Sequence, residues 1–274
     1  MGVAALFAAA AISLPGLNLF NTQPAHGSVY QGVIPYAQTT QRLHPSLVYL
    51  PPGFSTARRY PVVYLLHGLP GSPLEYAHGL GLLDWADEQI YEGKLQPFIA
   101  VAPSSAMRLA GEWAGFGEQY LVNGVVPWVD ANLPTIASAD GRVIAGLSAG
   151  GFGAYDIGLR HLDLFGRLAS WGGYFHPLDD GPFKNATKAY LRANDPWDLL
   201  KAEVPRLKSD GTKFFLSTGP PHSRWEKPGE TLAFGRALSR DGLPVRVVKL
   251  DSLVNHWQRE SEAGLRWAFQ AVAR

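Results

Sequence analysis

Arg142-Val143-Ile144-Ala145-Gly146-Leu147-Ser148-Ala149-Gly150-Gly151 is the stretch whose reading decides the fold. Residues 142–145 form a short apolar run that suits a buried strand, and residues 151–160 behind it have the pattern of a helix. Between them sits the pattern G-x-S-x-G. A strand that turns directly into a helix through small residues forces the central residue into a strained backbone and lifts its side chain clear of the sheet. The Ser148 hydroxyl then stands exposed at the strand end. The Ala149 N–H and the positive end of the helix favour negative charge in the same space. The bare pattern is expected by chance roughly 0.2 times in a chain with this much Gly and Ser, so its place between a strand and a helix carries the weight.

Upstream, residues 60–66 (YPVVYLL) are a continuous apolar run, as a strand buried on both faces requires. His67-Gly68-Leu69-Pro70-Gly71 follows. Acyl transfer needs two N–H groups aimed at the developing oxyanion. Ala149 supplies one, and the first loop supplies the other, which we assign to the Leu69 backbone. His67 is expected to order that loop rather than act as a base. Downstream, residues 245–250 read as the last strand and 260–273 as the closing helix, with His256 in the loop between them. Of the eight histidines, only His256 sits there, and the chain order Ser, acid, His is the α/β-hydrolase order. The acid is expected after the strand at 213–217. The segment 218–230 offers Glu226 and Glu230, and Asp251 is a third candidate; Glu226 is preferred and the other two stay open.

The remaining pattern agrees. Strands are expected at 28–36, 45–50, 97–102 and 164–171, and helices at 82–91, 118–132 and 231–240, with 172–210 irregular. Strands alternating with helices imply an α/β fold, an α/β-hydrolase type with a mostly parallel central sheet covered on both faces and chemistry at the carboxyl ends of the strands.

These motifs resemble the esterase D family, which includes S-formylglutathione hydrolases, feruloyl esterases and mycobacterial mycolyltransferases. The matching stretches are VYLPPGF at 48–54, YPVVYLLHGLPG at 60–71, VDANLP at 129–134, IAGLSAGGFGAYDIGLRHLDLFG at 144–166 and the His-x-x-x-Arg run at 256–259. The resemblance implies that Ser148 is nucleophile, His256 base, and Leu69 and Ala149 the oxyanion amides. It places the acid near 224–226, counted back from Phe234, which favours Glu226. One departure is that Val254-Asn255-His256 replaces the family's Gly-Gly-His. The implied activity is a serine carboxylic-ester hydrolase working through an acyl-enzyme, with no metal or organic cofactor. The alternatives are an acyltransferase of the mycolyltransferase type and, in another class, a catalytically inactive binding protein on the same scaffold.

Composition bounds the rest. The 274 residues are 46% apolar and 17% charged with net charge +1, which suits one large folded domain and gives no basic stripe for nucleic acid. No cysteine is present, so disulfides, a thiol nucleophile and thiolate metal sites are excluded. Residues 1–41 contain no Asp, Glu, Lys or Arg, and residues 1–20 are mostly apolar. We therefore set residues 1–27 apart from a single domain at 28–274, as a signal or anchor remnant that implies export or membrane association; the other reading is a cytoplasmic protein whose N-terminal segment packs on the domain. The partner is a small-molecule or lipid ester. His67, Trp113, Tyr174 and Trp257, together with Phe116, Trp171, Phe175 and Trp225, are expected near the carboxyl end of the sheet, where they would line an apolar acyl pocket if they are not core. His176 and His222 fall in loops on the same side.

Overall fold

The strand expected at 60–66 forms as β4, Val62–Leu66, and its alternation explains the two-sided architecture. Val62, Tyr64 and Leu66 enter one apolar cluster and Val63 and Leu65 the other, as period-two side chains do when both faces are covered. The computed structural model describes residues 17–19, 26–39, 43–104, 113–221 and 226–271. Its strands are β1 (Leu17–Leu19), β2 (Ser28–Gly32), β3 (Ser46–Leu50), β4, β5 (Ile99–Ala102), β6 (Arg142–Leu147), β7 (Arg167–Trp171), β8 (Lys213–Thr218) and β9 (Val245–Lys249). They form one sheet in the order β1-β2-β3-β5-β4-β6-β7-β8-β9. The pairs from β1 to β5 are antiparallel, and all pairs from β5 through β4 to β9 are parallel. This is the mostly parallel α/β-hydrolase sheet.

The helices are α1 (Leu82–Tyr91), α2 (Phe116–Tyr120), α3 (Val126–Asn132), α4 (Ala149–Arg160), α5 (Lys188–Ala193), α6 (Pro196–Ser209), α7 (Pro228–Arg240) and α8 (His256–Phe269). Residues of α3, α4, α6 and α7 fill the cluster on one face. Residues of α1 and α8 fill the cluster on the other.

Four expectations need correction. The strand at 28–36 stops at Gly32. The helix at 118–132 starts at Phe116 and is interrupted by a wider π turn over Leu121–Val125. The stretch 172–210 is not irregular, because it contains α5 and α6. Asp195 caps α6 by accepting from Trp197 N–H at 2.8 Å, and Pro196 fits the first turn, where no N–H is required. Pro205 lies inside that helix, where proline ordinarily disfavours helical structure. Finally, α8 begins four residues earlier than the expected helix at 260–273, so His256 is its first residue and not part of the preceding loop.

Most of the apolar segment 1–27 lies outside the described residues. Its residues 17–19 pair with β2, so the sheet reaches into that segment. Among the described residues no helix is long and apolar enough to cross a membrane.

Candidate active site

Ser148 stands between β6 and α4 with φ 49° and ψ −114°, a conformation sparsely populated by residues with a Cβ. The surroundings hold it there. Its N–H donates to the Trp171 carbonyl at 3.0 Å, and its own carbonyl accepts from Phe152 N–H at 3.0 Å. The flanking glycines are required by contact. A Cβ on Gly150 would lie 1.8 Å from the Leu66 carbonyl oxygen, and one on Gly146 would lie 2.5 Å from the same atom. The turn thus crosses the last carbonyl of β4 at a distance only hydrogen permits.

The loop after β4 runs alongside. A Cβ on Gly68 would sit 3.5 Å from the Ser148 Cβ. Leu69 packs with Ala149, Phe152 and Tyr174 in a small apolar cluster, so the two residues assigned to the oxyanion site share one wall. His67 is buried, with Nδ1 2.8 Å from the Gly68 carbonyl oxygen and its ring edge-on to Trp113. Trp113 Nε1 donates to the His67 carbonyl at 3.0 Å, and Tyr76 donates its hydroxyl to the Leu66 carbonyl at 2.6 Å. Burial pushes the His67 imidazole down from its ordinary pKa. A neutral, buried ring tied to its own loop orders that loop.

His256 enters α8 through Asn255, whose left-handed φ of 49° and ψ of 33° is one that Asn tolerates well. The imidazole is nearly buried. Its Nδ1 lies 3.2 Å from the Leu253 carbonyl oxygen, so the proton belongs on Nδ1 and the lone pair on Nε2. Glu226 Oε1 is 3.9 Å from Nε2, with the two side chains 8% and 10% exposed. That separation is beyond a hydrogen bond but well within strong charge interaction for groups this buried. A backbone carbonyl thus meets Nδ1, and the Glu226 carboxyl flanks the other nitrogen. The other two acid candidates are placed elsewhere. Glu230 accepts from Phe175 N–H at 3.0 Å in the first turn of α7, and Asp251 is exposed beyond β9.

Sequence reasoning missed Glu260. It lies one helical turn after His256, fully buried, and accepts from the Ser217 hydroxyl at 2.7 Å through Oε2. A Cβ on Gly219 would be 3.5 Å from Glu260 Oε1 and 3.5 Å from His256 Cδ2, so acid and imidazole flank the same residue. Burial, and to a smaller extent the Glu226 charge, push its carboxyl up to about 7 against the opposing Ser217 hydrogen bond. The available signal was a carboxylate on the apolar stripe of α8, in line with Gly264, Leu265 and Ala268.

The aromatic expectations are mostly corrected. Trp113, Trp171, Tyr174 and Phe175 are buried and offer no surface to a ligand in this structure, and Phe175 stacks on Phe234. Phe116 packs on Tyr120 and Tyr36. Trp257 is half-buried, its ring 5.3 Å from that of His256. His176 is exposed, with Nδ1 2.7 Å from Asp195 Oδ2. His222 and Trp225 lie outside the described residues. A cleft of about 730 Å³ opens beside the Leu69 loop, lined by His44, His67, Pro70, Glu75, His78 and Ser104 among others; Ser148 and His256 are not in its lining.

A family described as "Putative esterase" matches residues 37–237. A protein of Xylanibacter ruminicola named endo-1,4-beta-xylanase/feruloyl esterase is 32% identical over 236 residues, which cover 76% of this chain and 31% of that protein. This chain thus spans about a third of that relative. Among solved structures, a ferulic acid esterase aligns with a TM-score of 0.72 at 21% identity, covering 89% of this chain and 97% of the other. An S-formylglutathione hydrolase from Agrobacterium tumefaciens aligns with a TM-score of 0.70 at 15% identity, covering 92% and 98%. At those identities the likeness to the solved structures is one of fold.

Proposed function

This chain belongs to the esterase family matched over residues 37–237, and on that premise we propose that it is a serine hydrolase of carboxylic esters, with Ser148 as nucleophile and His256 as general base. The observation that carries the reading is the strained Ser148 backbone at the β6–α4 turn, kept by glycines that cross the Leu66 carbonyl. Strain of that kind persists only where the surroundings impose it, and its effect is to present the hydroxyl at the head of a helix.

In this mechanism His256 Nε2 takes the Ser148 proton as Oγ attacks the ester carbonyl. The Leu69 and Ala149 N–H groups receive the oxyanion, and Glu226 stabilises the imidazolium that forms. The imidazolium returns its proton to the leaving alcohol, and an acyl-enzyme remains. Water then attacks through the same steps in reverse roles and releases the acid. Of Leu69, Ala149, Phe152 and Tyr174 beside the nucleophile, Leu69 is the one that keeps exposed surface, and it favours an apolar acyl group. The name of the Xylanibacter relative suggests adding an aromatic acyl ester to the substrates tried.

The test is hydrolysis of p-nitrophenyl esters of graded chain length and of methyl ferulate, with labelling by a fluorophosphonate. Turnover with stoichiometric labelling that maps to Ser148 is expected. A folded protein that neither turns over any of these esters nor takes the label overturns the reading. Transfer of the acyl group to an added alcohol in preference to water would move the activity to acyl transfer.

A further inference from the structure

We propose that Glu260 is a positioning residue of the active site, a buried acid that fixes where the ends of β7 and β8 and Gly219 stand relative to His256. The inference rests on the ester-hydrolase reading above. Glu260 follows His256 at i+4 on α8, and side chains four apart lie on one helix face, so the carboxyl is rigidly linked to the imidazole. Its Oε2 accepts from Ser217 at the carboxyl end of β8. The Gly172 amide, which follows β7 and donates to the Ser217 carbonyl at 3.0 Å, also directs its dipole at the carboxyl. Among the described residues its Oε1 has no hydrogen-bond partner, and it faces Gly219, the residue that also touches the imidazole. One side chain therefore joins the ends of two neighbouring strands to the turn that carries the base.

A structural filler at this place would be apolar. The neighbouring stripe of α8 is Gly264, Leu265, Ala268 and Phe269, and a buried carboxyl with a half-satisfied hydrogen-bonding capacity is costly there. The protonation state makes it tolerable. Two carboxyls near one imidazole do not ionise together readily. Glu226 Oε1 lies 3.9 Å from Nε2, and its charge adds to the burial that raises Glu260. Glu260, pushed up to about 7 chiefly by burial, keeps its proton below that pH. The titratable groups facing it are Glu226, from the segment before α7, and His256, from its own helix. From β7 and β8 the facing groups are uncharged, the Gly172 amide and the Ser217 hydroxyl. Below about pH 7 the protonated acid holds the geometry and adds no charge beside the base.

The experiment compares wild type, Glu260→Ala, Glu260→Gln and Ser148→Ala in the ester assay, with folding followed by circular dichroism. Glu260→Ala is expected to lower kcat by about 10- to 100-fold with KM changed less than about threefold, because misplacing a base harms the reaction and not ground-state binding. Glu260→Gln, which imitates the protonated acid, is expected to recover most of that loss. In wild type the loss of the Glu260 proton near 7 is expected to blunt the rise of kcat/KM with pH; in Glu260→Gln the rise should follow the base alone. If Glu260→Ala does not fold, the pH profile of Glu260→Gln decides alone. The proposal is overturned if Glu260→Ala keeps kcat within twofold, if Glu260→Gln is as impaired as Glu260→Ala, or if the profiles of wild type and Glu260→Gln superimpose. Failure of the ester-hydrolase reading looks different: wild type itself is then inactive, or Ser148→Ala remains active.

Discussion

Replacing Glu226 with Gln keeps the shape of the side chain and removes its charge, so it isolates what the carboxylate does for the base. Glu226 Oε1 lies 3.9 Å from His256 Nε2, and both side chains are nearly buried. At an effective dielectric of about 20, the attraction between a carboxylate and an imidazolium at that distance is about 4 kcal/mol. This sets a ceiling of about 10³-fold on the rate, since each 1.36 kcal/mol is about tenfold. In a triad whose acid controls the tautomer, loss of the charge reaches ~10⁴-fold. Here the Leu253 carbonyl already receives the Nδ1 proton, so the amide does not force the wrong tautomer. The expected loss is therefore about 10²- to 10³-fold, confined to kcat, because the positive charge exists only as the reaction proceeds. Steady-state kinetics with p-nitrophenyl butyrate at pH 7.5 would measure it, with fluorophosphonate labelling to count intact sites and the exposed Asp251→Asn as a comparison expected to stay within about twofold. A Glu226→Gln enzyme within threefold of wild type would show that the carboxylate does not act on the base. A loss beyond 10⁴-fold would show that the tautomer argument is wrong.

Ser148→Ala should reduce ester hydrolysis by on the order of 10⁴-fold or more and abolish fluorophosphonate labelling, with an unchanged circular dichroism spectrum. Gly150→Ala places a Cβ 1.8 Å from the Leu66 oxygen; it should lower Tm by roughly 5–10 °C in a melting curve and remove labelling, and a variant that melts and labels like wild type would disprove the close crossing. The Glu260 carboxyl, raised from 4.5 to about 7 in the folded protein, retains a proton that the unfolded chain releases. Its contribution to stability is complete below pH 4.5 and lost as pH rises through 7, by up to roughly 3 kcal/mol, so urea unfolding at pH 5 and pH 8 should show a pH-dependent gap between wild type and Glu260→Gln; an equal gap at both pH values would contradict the raised pKa.

How far the sequence could be read depended on whether a feature is local. Strand β4, the turn at Ser148 and α7 follow from short-range pattern, because an apolar run or a G-x-S-x-G between strand and helix has few alternative structures. The placing of His256 after the last strand was legible for the same reason, though its position inside the helix was not. The acid was narrowed to three candidates, and only folding brought Glu226 to the imidazole and sent Glu230 to Phe175. Which imidazole nitrogen meets a carbonyl is a matter of a single turn at Leu253, which no residue pattern encodes. Trp113, Trp171 and Phe175 fall in or near loops at the carboxyl end of the sheet, where they could equally line a pocket or fill the core, and large rings beside a wide sheet fill its core. Glu260 lay hidden among the charged residues of an amphipathic helix until the stripe it occupies was known to be buried.

Helix α4 has a consequence for the order of events during folding. It carries Gly150, Gly151, Gly153 and Gly158, and each glycine costs a helix interior about 1 kcal/mol relative to alanine. As a free peptide this segment would be mostly coil. Its stability comes from neighbours that the missing Cβ atoms allow to approach: Leu66 at Gly150, Ser170 at Gly151, Trp113 at Gly153 and Leu168 at Gly158. Those neighbours belong to strands and loops far apart along the chain, so α4 consolidates only after the non-local pairing of β4, β6 and β7, the slow part of folding for such a sheet. The serine turn is strained and depends on both α4 and the sheet, so it forms late. During refolding from denaturant, far-ultraviolet signal should return before reactivity toward a fluorophosphonate, and a chain with its sheet half assembled carries the nucleophile without its reactivity.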